Sequence, residues 1–233
     1  MLTPSSNSVL EPVTARLLAN QPRISAHFAR LRVTQIGLST AALDQFDQAP
    51  MLDAAALLAD ARVAAIVWNG TAGAWLGFAN DTALSAAITQ RTGVPASTST
   101  LAFRDLFRRR RIRRVGLVTP YTGDVQARIQ ANWQADGLDC SAERHLGLSE
   151  NFSFAEADEA EIAGMVRAVA AAGVEAAAIV CTNLPGAALA PALEAELGIP
   201  VYDSVAVSLW KAMDLAGLDT AAITGWGSVF AGA

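Results

Sequence analysis

Cys181 is the side chain in this sequence best placed to do chemistry. It closes an apolar run, Ala176-Ala177-Ala178-Ile179-Val180, and is followed by Thr182-Asn183-Leu184-Pro185-Gly186. The run is short, β-branched at its end and stopped by Pro-Gly, which predicts a buried strand running into a turn. Open α/β sheets bind their ligands beyond the carboxyl ends of their strands. A thiol at such a tip, beside the N–H groups of the next turn, suits a proton donor or a nucleophile. Those N–H groups are expected to set its pKa, near ambient pH if it is to donate. The competing reading is a buried, inert core cysteine.

Three other patches carry neutral donors. Thr3-Pro4-Ser5-Ser6-Asn7-Ser8 offers hydroxyls, an amide and backbone N–H groups, a set that can hold a carboxylate. The same residues also read as an N-capping turn before a helix over 9–18. In Gly70-Thr71-Ala72-Gly73 the glycines let a ligand approach the backbone, and Thr71 can donate from the first turn of a helix. In Thr119-Pro120-Tyr121-Thr122-Gly123-Asp124 the phenol of Tyr121 stands at a strand tip. The two histidines, His27 and His145, lie in no metal-ligand spacing, so no metal site is expected.

The elements that must position these patches alternate along the chain. Strands are predicted over 33–37, 64–68, 115–119, 176–180 and 199–202. Helices are predicted over 51–60, 80–92, 124–136, 156–172 and 189–197. Such alternation implies parallel sheets with helices on both faces. The pattern also repeats. Ala65-Ile66-Val67 leads into Trp68-Asn69-Gly70-Thr71, and Ala178-Ile179-Val180 leads into Cys181-Thr182-Asn183. A helix follows each, then Gly93-Val94-Pro95 and Gly198-Ile199-Pro200, with Ser99 and Ser204 six residues past the glycines. Two similar α/β lobes with a crevice between them follow from this. The first lobe spans 1–110 and is completed by about 206–233; the second spans 111–205 and carries Cys181. The run from Arg108 to Arg114, broken by Ile112, separates the halves and reads as a solvated helix end.

Composition narrows the class. Of 233 residues 52% are hydrophobic, enough for a sizeable core, and the net charge is −5. That balance argues against a nucleic-acid partner held by phosphate neutralisation. No apolar stretch has the length of a membrane span. The N-terminus lacks the basic and apolar regions of a signal peptide. Two separated cysteines make no disulfide framework, so a reducing cytoplasm is expected.

The ordered set of motifs resembles the aspartate/glutamate racemase superfamily, in its branch of maleate cis–trans isomerases and arylmalonate decarboxylases. The residues that carry the likeness are Pro4-Ser5-Ser6-Asn7 with Glu11-Pro12, Asn69-Gly70-Thr71-Ala72-Gly73, Thr119-Pro120-Tyr121 with Asp124-Val125, Cys181-Thr182-Asn183, and Gly198-Ile199-Pro200-Val201. The resemblance implies two pseudo-symmetric flavodoxin-like lobes, each a parallel sheet flanked by helices, with the active site in the cleft. It implies no metal or cofactor, and a monomer or homodimer acting on a small carboxylic or dicarboxylic acid. Racemases and maleate isomerases of the superfamily place a cysteine on each face of the substrate carbon. Here the first of those positions is Gly70, and only Cys181 remains.

That pairing is similar to the arylmalonate decarboxylases, in which loss of CO2 leaves an enediolate that the lone cysteine protonates. On this likeness Thr71, Tyr121 and N–H groups around Cys181 and Thr182 would stabilise the enediolate oxygens. Ile36, Phe46 and Phe154 would line an apolar pocket for the departing carboxylate. Ala72 replaces a serine frequent in the family, and the turn around Asn7 is closer to the isomerases. The expected activity is decarboxylation of a substituted malonate. The alternatives are an isomerase or racemase with a non-cysteine second base, and a non-catalytic carboxylate-binding protein.

Overall fold

The computed structural model describes residues 1–231. Eight parallel strands and ten helices alternate in the order β1 (Leu2–Pro4), α1 (Leu10–Leu17), β2 (Ala29–Leu31), α2 (Thr40–Leu43), α3 (Gln48–Asp60), β3 (Ile66–Trp68), α4 (Gly73–Leu76), α5 (Phe78–Thr92), β4 (Ala96–Thr98), α6 (Ser99–Arg110), β5 (Val115–Thr119), α7 (Gly123–Ala135), β6 (Glu143–His145), α8 (Glu159–Ala170), β7 (Ala176–Ile179), α9 (Ala190–Leu197), β8 (Val201–Asp203) and α10 (Ser204–Leu215). They form two sheets of identical topology, ordered β2-β1-β3-β4 and β6-β5-β7-β8. This is the flavodoxin-like pattern, occurring twice, with the strands of each sheet ending at a common carboxyl edge.

The central strands β3, β5 and β7 are buried on both faces, which is why they read as continuous apolar runs. Two of the four edge strands carry no such run. β4 is Ala-Ser-Thr and β6 is Glu-Arg-His, with no apolar run to mark either. The strand expected over 33–37 is corrected. The paired segment is Ala29–Leu31, and the chain beyond it leaves the sheet. There Gln35 bridges Glu150 antiparallel, with Ile36 N–H on Ser149 O at 2.8 Å and Asn151 N–H on Thr34 O at 2.9 Å. The extended conformation expected for 33–37 serves a tie to the other lobe.

The helix expected over 156–172 is also shorter. A 3-10 turn over Phe152–Glu156 precedes α8, which starts where Asp158 accepts the N–H of Ala160 at 2.8 Å. The arginine run falls at the C-terminus of α6, as expected of a helix end. Its members have structural partners: Arg108 pairs with Asp136 at 3.1 Å, Arg109 with Asp214 at 2.8 Å, and Arg110 donates to Ser228 O at 2.7 Å. The chain returns at its end to the first sheet, where α10 packs on α6 and the hydroxyls of Ser99 and Ser208 meet at 2.7 Å. Among the described residues no helix is long and apolar enough to cross a membrane.

Candidate active site

The tips of β1, β3, β5 and β7 converge where the two sheets' carboxyl edges meet. At the centre, Thr71 Oγ1 lies 2.6 Å from the Tyr121 hydroxyl. The Tyr121 side chain lies beside the Cys181 thiol and pulls its pKa down, and the sulfur accepts the N–H of Asn183 at 3.4 Å. Thr71, Tyr121 and Cys181 thus adjoin in a line, with either hydroxyl of the Thr71–Tyr121 pair able to donate. The line crosses from one lobe to the other and is buried, with Cys181 only 3% exposed. Burial pushes the thiol up to about 12, against the Asn183 N–H and the Tyr121 side chain that pull it down. The expectation that turn N–H groups hold it near ambient pH is therefore not met in this closed site: desolvation outweighs them. The sulfur carries its proton throughout the physiological range.

The N-terminal turn is tied into the same region. Asn7 Oδ1 accepts from the N–H groups of Val9 and Leu10, so it caps the start of α1. Its Nδ2 reaches Thr182 Oγ1 at 3.1 Å, and that hydroxyl donates to Asn69 O at 2.8 Å. Ser6 donates to Val33 O at 2.7 Å and accepts from Asn151 Nδ2 at 2.7 Å. Ser5 Oγ accepts from Val33 N–H at 3.3 Å. An open groove of about 590 Å³ runs over this turn, between Ser5, Ser6, Asn7, Arg30 and Phe152. Asn183, fully buried, accepts from Ser8 N–H at 2.9 Å and Val9 N–H at 3.3 Å and donates to Asn151 O at 2.6 Å. In this closed arrangement Ser6, Asn7, Thr182 and Asn183 join the lobes to each other.

Of the expected apolar wall, Phe154 packs edge-on to Tyr121 at 5.6 Å, while Phe46 reaches it only through Trp75, at 5.8 and 5.2 Å. Ile36 is buried in the segment tied to Ser149. Gly70 and Ala72 are buried where β3 enters α4, and Gly73 is there because the Asp81 carboxyl fills the space of its side chain. Trp75 was not expected, although an aromatic one turn into α4 was readable. Its indole N–H is buried without a partner. Among the described residues no cluster of three potential metal ligands occurs.

Two buried carboxyls also went unforeseen. Asp81 accepts from Thr98 Oγ1, and burial raises it to about 6. Asp203 caps α10 through Oδ1, on the N–H groups of Val205 at 2.7 Å and Ala206 at 3.3 Å, while Oδ2 has no partner. Burial raises Asp203 to about 7, against the pull of those two N–H groups. Its cap position was legible from Asp-Ser before an apolar helix; its burial was not. The folded protein holds these protons to higher pH than the unfolded chain, whose carboxyls titrate near 3.8. Stability contributed at low pH is thus lost as pH rises from about 4 to about 7, by roughly 3 kcal/mol for Asp81 and roughly 4 kcal/mol for Asp203. Asp203→Asn keeps the capping oxygen and cannot ionise. Urea unfolding at pH 5 and pH 8 is expected to show a smaller loss of stability in this variant than in the native chain. An unchanged difference would count against the protonated state of Asp203.

Relatives bear on what such a site belongs to. The family model for arylmalonate decarboxylase matches residues 9–230, nearly the whole chain. The chain belongs to the arylmalonate decarboxylase family. A member from Bordetella bronchiseptica, an arylmalonate decarboxylase, is 28% identical over 235 residues, covering 99% of this chain and 95% of its own. The structure of unliganded arylmalonate decarboxylase covers 98% of this chain and 96% of its own, with TM-score 0.78 and 28% identity. The maleate isomerase of Pseudomonas putida S16 shares the fold, with TM-score 0.89, 22% identity, and coverage of 99% and 96%. The superfamily branch inferred from the motifs, and the two-lobed fold it implied, both hold for this member of the arylmalonate decarboxylase family.

Proposed function

We propose that this protein is a cofactor-independent decarboxylase of a substituted malonate, with Cys181 as the proton donor. The observation that carries the reading is the buried line Thr71–Tyr121–Cys181, ending in one protonated thiol with glycine at the opposite position, Gly70. The substrate's α-carbon lies beside the sulfur, with one carboxylate directed at Thr71, Tyr121 and the N–H groups of the turn after Cys181. Those donors stabilise the charge that collects on its oxygens as the second carboxylate leaves. Each contributes a few kcal/mol in a dry site, by order of magnitude.

The bond to the departing carboxylate breaks heterolytically. CO2 leaves, and the electron pair remains as an enediolate. Cys181 then delivers its proton to the α-carbon. A thiol at about 12 needs no base to hold the proton, and the carbanion-like centre is basic enough to take it. Asn183 N–H stabilises the thiolate until water reprotonates it. Phe154 and Phe46, with Trp75 between, supply an apolar surface where a carboxylate is poorly solvated and neutral CO2 is favoured. Ser5, Ser6 and Asn7 border the groove through which a second polar group can be held. The division into lobes 1–110, completed by about 206–233, and 111–205 belongs to the same reading, with the acid bound between them.

The test is incubation of the native chain in D2O with phenylmalonate, methylmalonate, maleate and alanine. CO2 release with one deuterium at a single prochiral face is the expected result. Deuterium entering unreacted substrate without CO2 would instead mark an isomerase or racemase. Saturable binding with neither would mark a carboxylate-binding protein.

A further inference from the structure

Hydrogen bonding fixes which residues of the two sheets are equivalent. Trp68 lies opposite Thr98 in the first sheet, and Ile179 lies opposite Asp203 in the second. The serines that follow, Ser99 and Ser204, send their hydroxyls back to the carbonyls of Trp68 at 3.3 Å and Ile179 at 2.8 Å. Trp68 is thus the counterpart of Ile179, and Gly70, two residues on, is the counterpart of Cys181. Side chains two apart along an extended chain share a face. A large side chain at 68 can therefore lean over position 70, and it does. A Cβ at Gly70 would fall inside contact distance of Trp68 Cζ2 and Cε2, and 2.8 Å from its Nε1. The room that a thiol takes up in the second lobe is filled by an indole in the first. The ring is 1% exposed, so it is fixed in the closed interior.

We propose that Trp68 is a specificity-determining residue. Its indole stands in the mirror position of the Cys181 thiol and walls the far face of the reacting carbon, leaving room there only for a carboxylate-sized group. This rests on the reading that a small acid binds between the lobes at Cys181. The two faces of the enediolate then differ sharply. On one side an S–H bond delivers a proton; on the other stands an aromatic surface with no proton to give at neutral pH. That surface adds to the apolar surroundings of Phe154, Phe46 and Trp75, in which the charge of the departing carboxylate is poorly solvated. Gly70 follows as a packing requirement of Trp68, since any side chain there would compete with the ring.

The test uses the full chain with Trp68→Leu and Trp68→Phe, each checked for a cooperative thermal transition. CO2 release from phenylmalonate and from methylphenylmalonate is measured. Binding of phenylacetate and 2-phenylpropionate is measured alongside by calorimetry. Trp68→Leu is expected to raise the kcat/KM ratio of methylphenylmalonate to phenylmalonate by tenfold or more, with a parallel gain in relative affinity for 2-phenylpropionate. Trp68→Phe is expected to fall between, and it carries the test if Trp68→Leu does not fold. Gly70→Ala is expected to lower Tm in the native background and much less on Trp68→Leu. Ratios within twofold of native in a folded variant, or an equal Gly70→Ala penalty in both backgrounds, would overturn the assignment of Trp68 alone. A native chain that binds none of these acids would overturn the small-acid site itself, and Trp68's role with it.

Discussion

Cys181→Ala is expected to slow product formation by about 10²- to 10⁴-fold, the range a positioned proton donor contributes. The fold should survive, because the change removes one buried sulfur from a site already closed by Tyr121 and Thr71. The native pH–rate profile adds a second signature. Burial holds the thiol near 12, so its ionisation should produce no fall in rate between pH 6 and pH 9. A thiolate nucleophile would behave oppositely, gaining activity as pH rises toward its pKa. The check is a single-turnover measurement in the native chain and the alanine variant across that range. Equal rates in the two proteins would remove Cys181 from the mechanism.

Asn183→Ala is expected to cost roughly 3 to 5 kcal/mol of stability. Three hydrogen bonds disappear from a fully buried side chain; Ser8 N–H and the carbonyl of Asn151 lose their partner, while Val9 N–H keeps Asn7 Oδ1 at 3.0 Å. Each net bond is worth about 1 kcal/mol, and each orphaned group adds its desolvation cost. Against a total of about 5 to 15 kcal/mol this is a large fraction. Denaturant unfolding reads the effect directly. An Asn183→Ala protein as stable as native, with only KM raised, would instead place the amide on the substrate.

The motifs at the strand tips were legible because chemistry and topology coincide there. Apolar runs mark β3, β5 and β7, and the turn after each carries the polar residues, so Gly70, Thr71, Tyr121 and Cys181 could be named from the sequence. The repeat of Gly-(Val/Ile)-Pro also set Ser99 and Ser204 at equivalent places, but the helices that begin at them were not expected. The edge strand β8 was readable, but the edges β4 and β6 escaped because an edge needs no apolar run, and the central β1 escaped because it has only three residues; β6 is Glu-Arg-His and pairs through its backbone alone. The capping role of the Asn7 turn was readable, but the bonds that Asn7 Nδ2 and the Asn183 amide make between the lobes were hidden. Their partners lie about 175 residues away, and no local pattern announces a bond across that separation. Trp68 reads as the apolar end of a strand; only the position of its ring over Gly70 gives it a place opposite Cys181.

The return of α10 to the first sheet sets a condition on how the chain can fold. The face of α6 that meets α10, marked by the Ser99–Ser208 contact, has its partner 109 residues downstream. Closing a loop of that length is entropically costly before the contact is made, and dominance of such distant pairings slows folding. While a nascent chain emerges, residues 1–110 can assemble β1 to β4 but keep an apolar face of α6 in solvent. The second sheet, by contrast, has all its strands in one contiguous stretch, Val115 to Asp203. Order of synthesis and order of completion are therefore inverted: the half made first is sealed last.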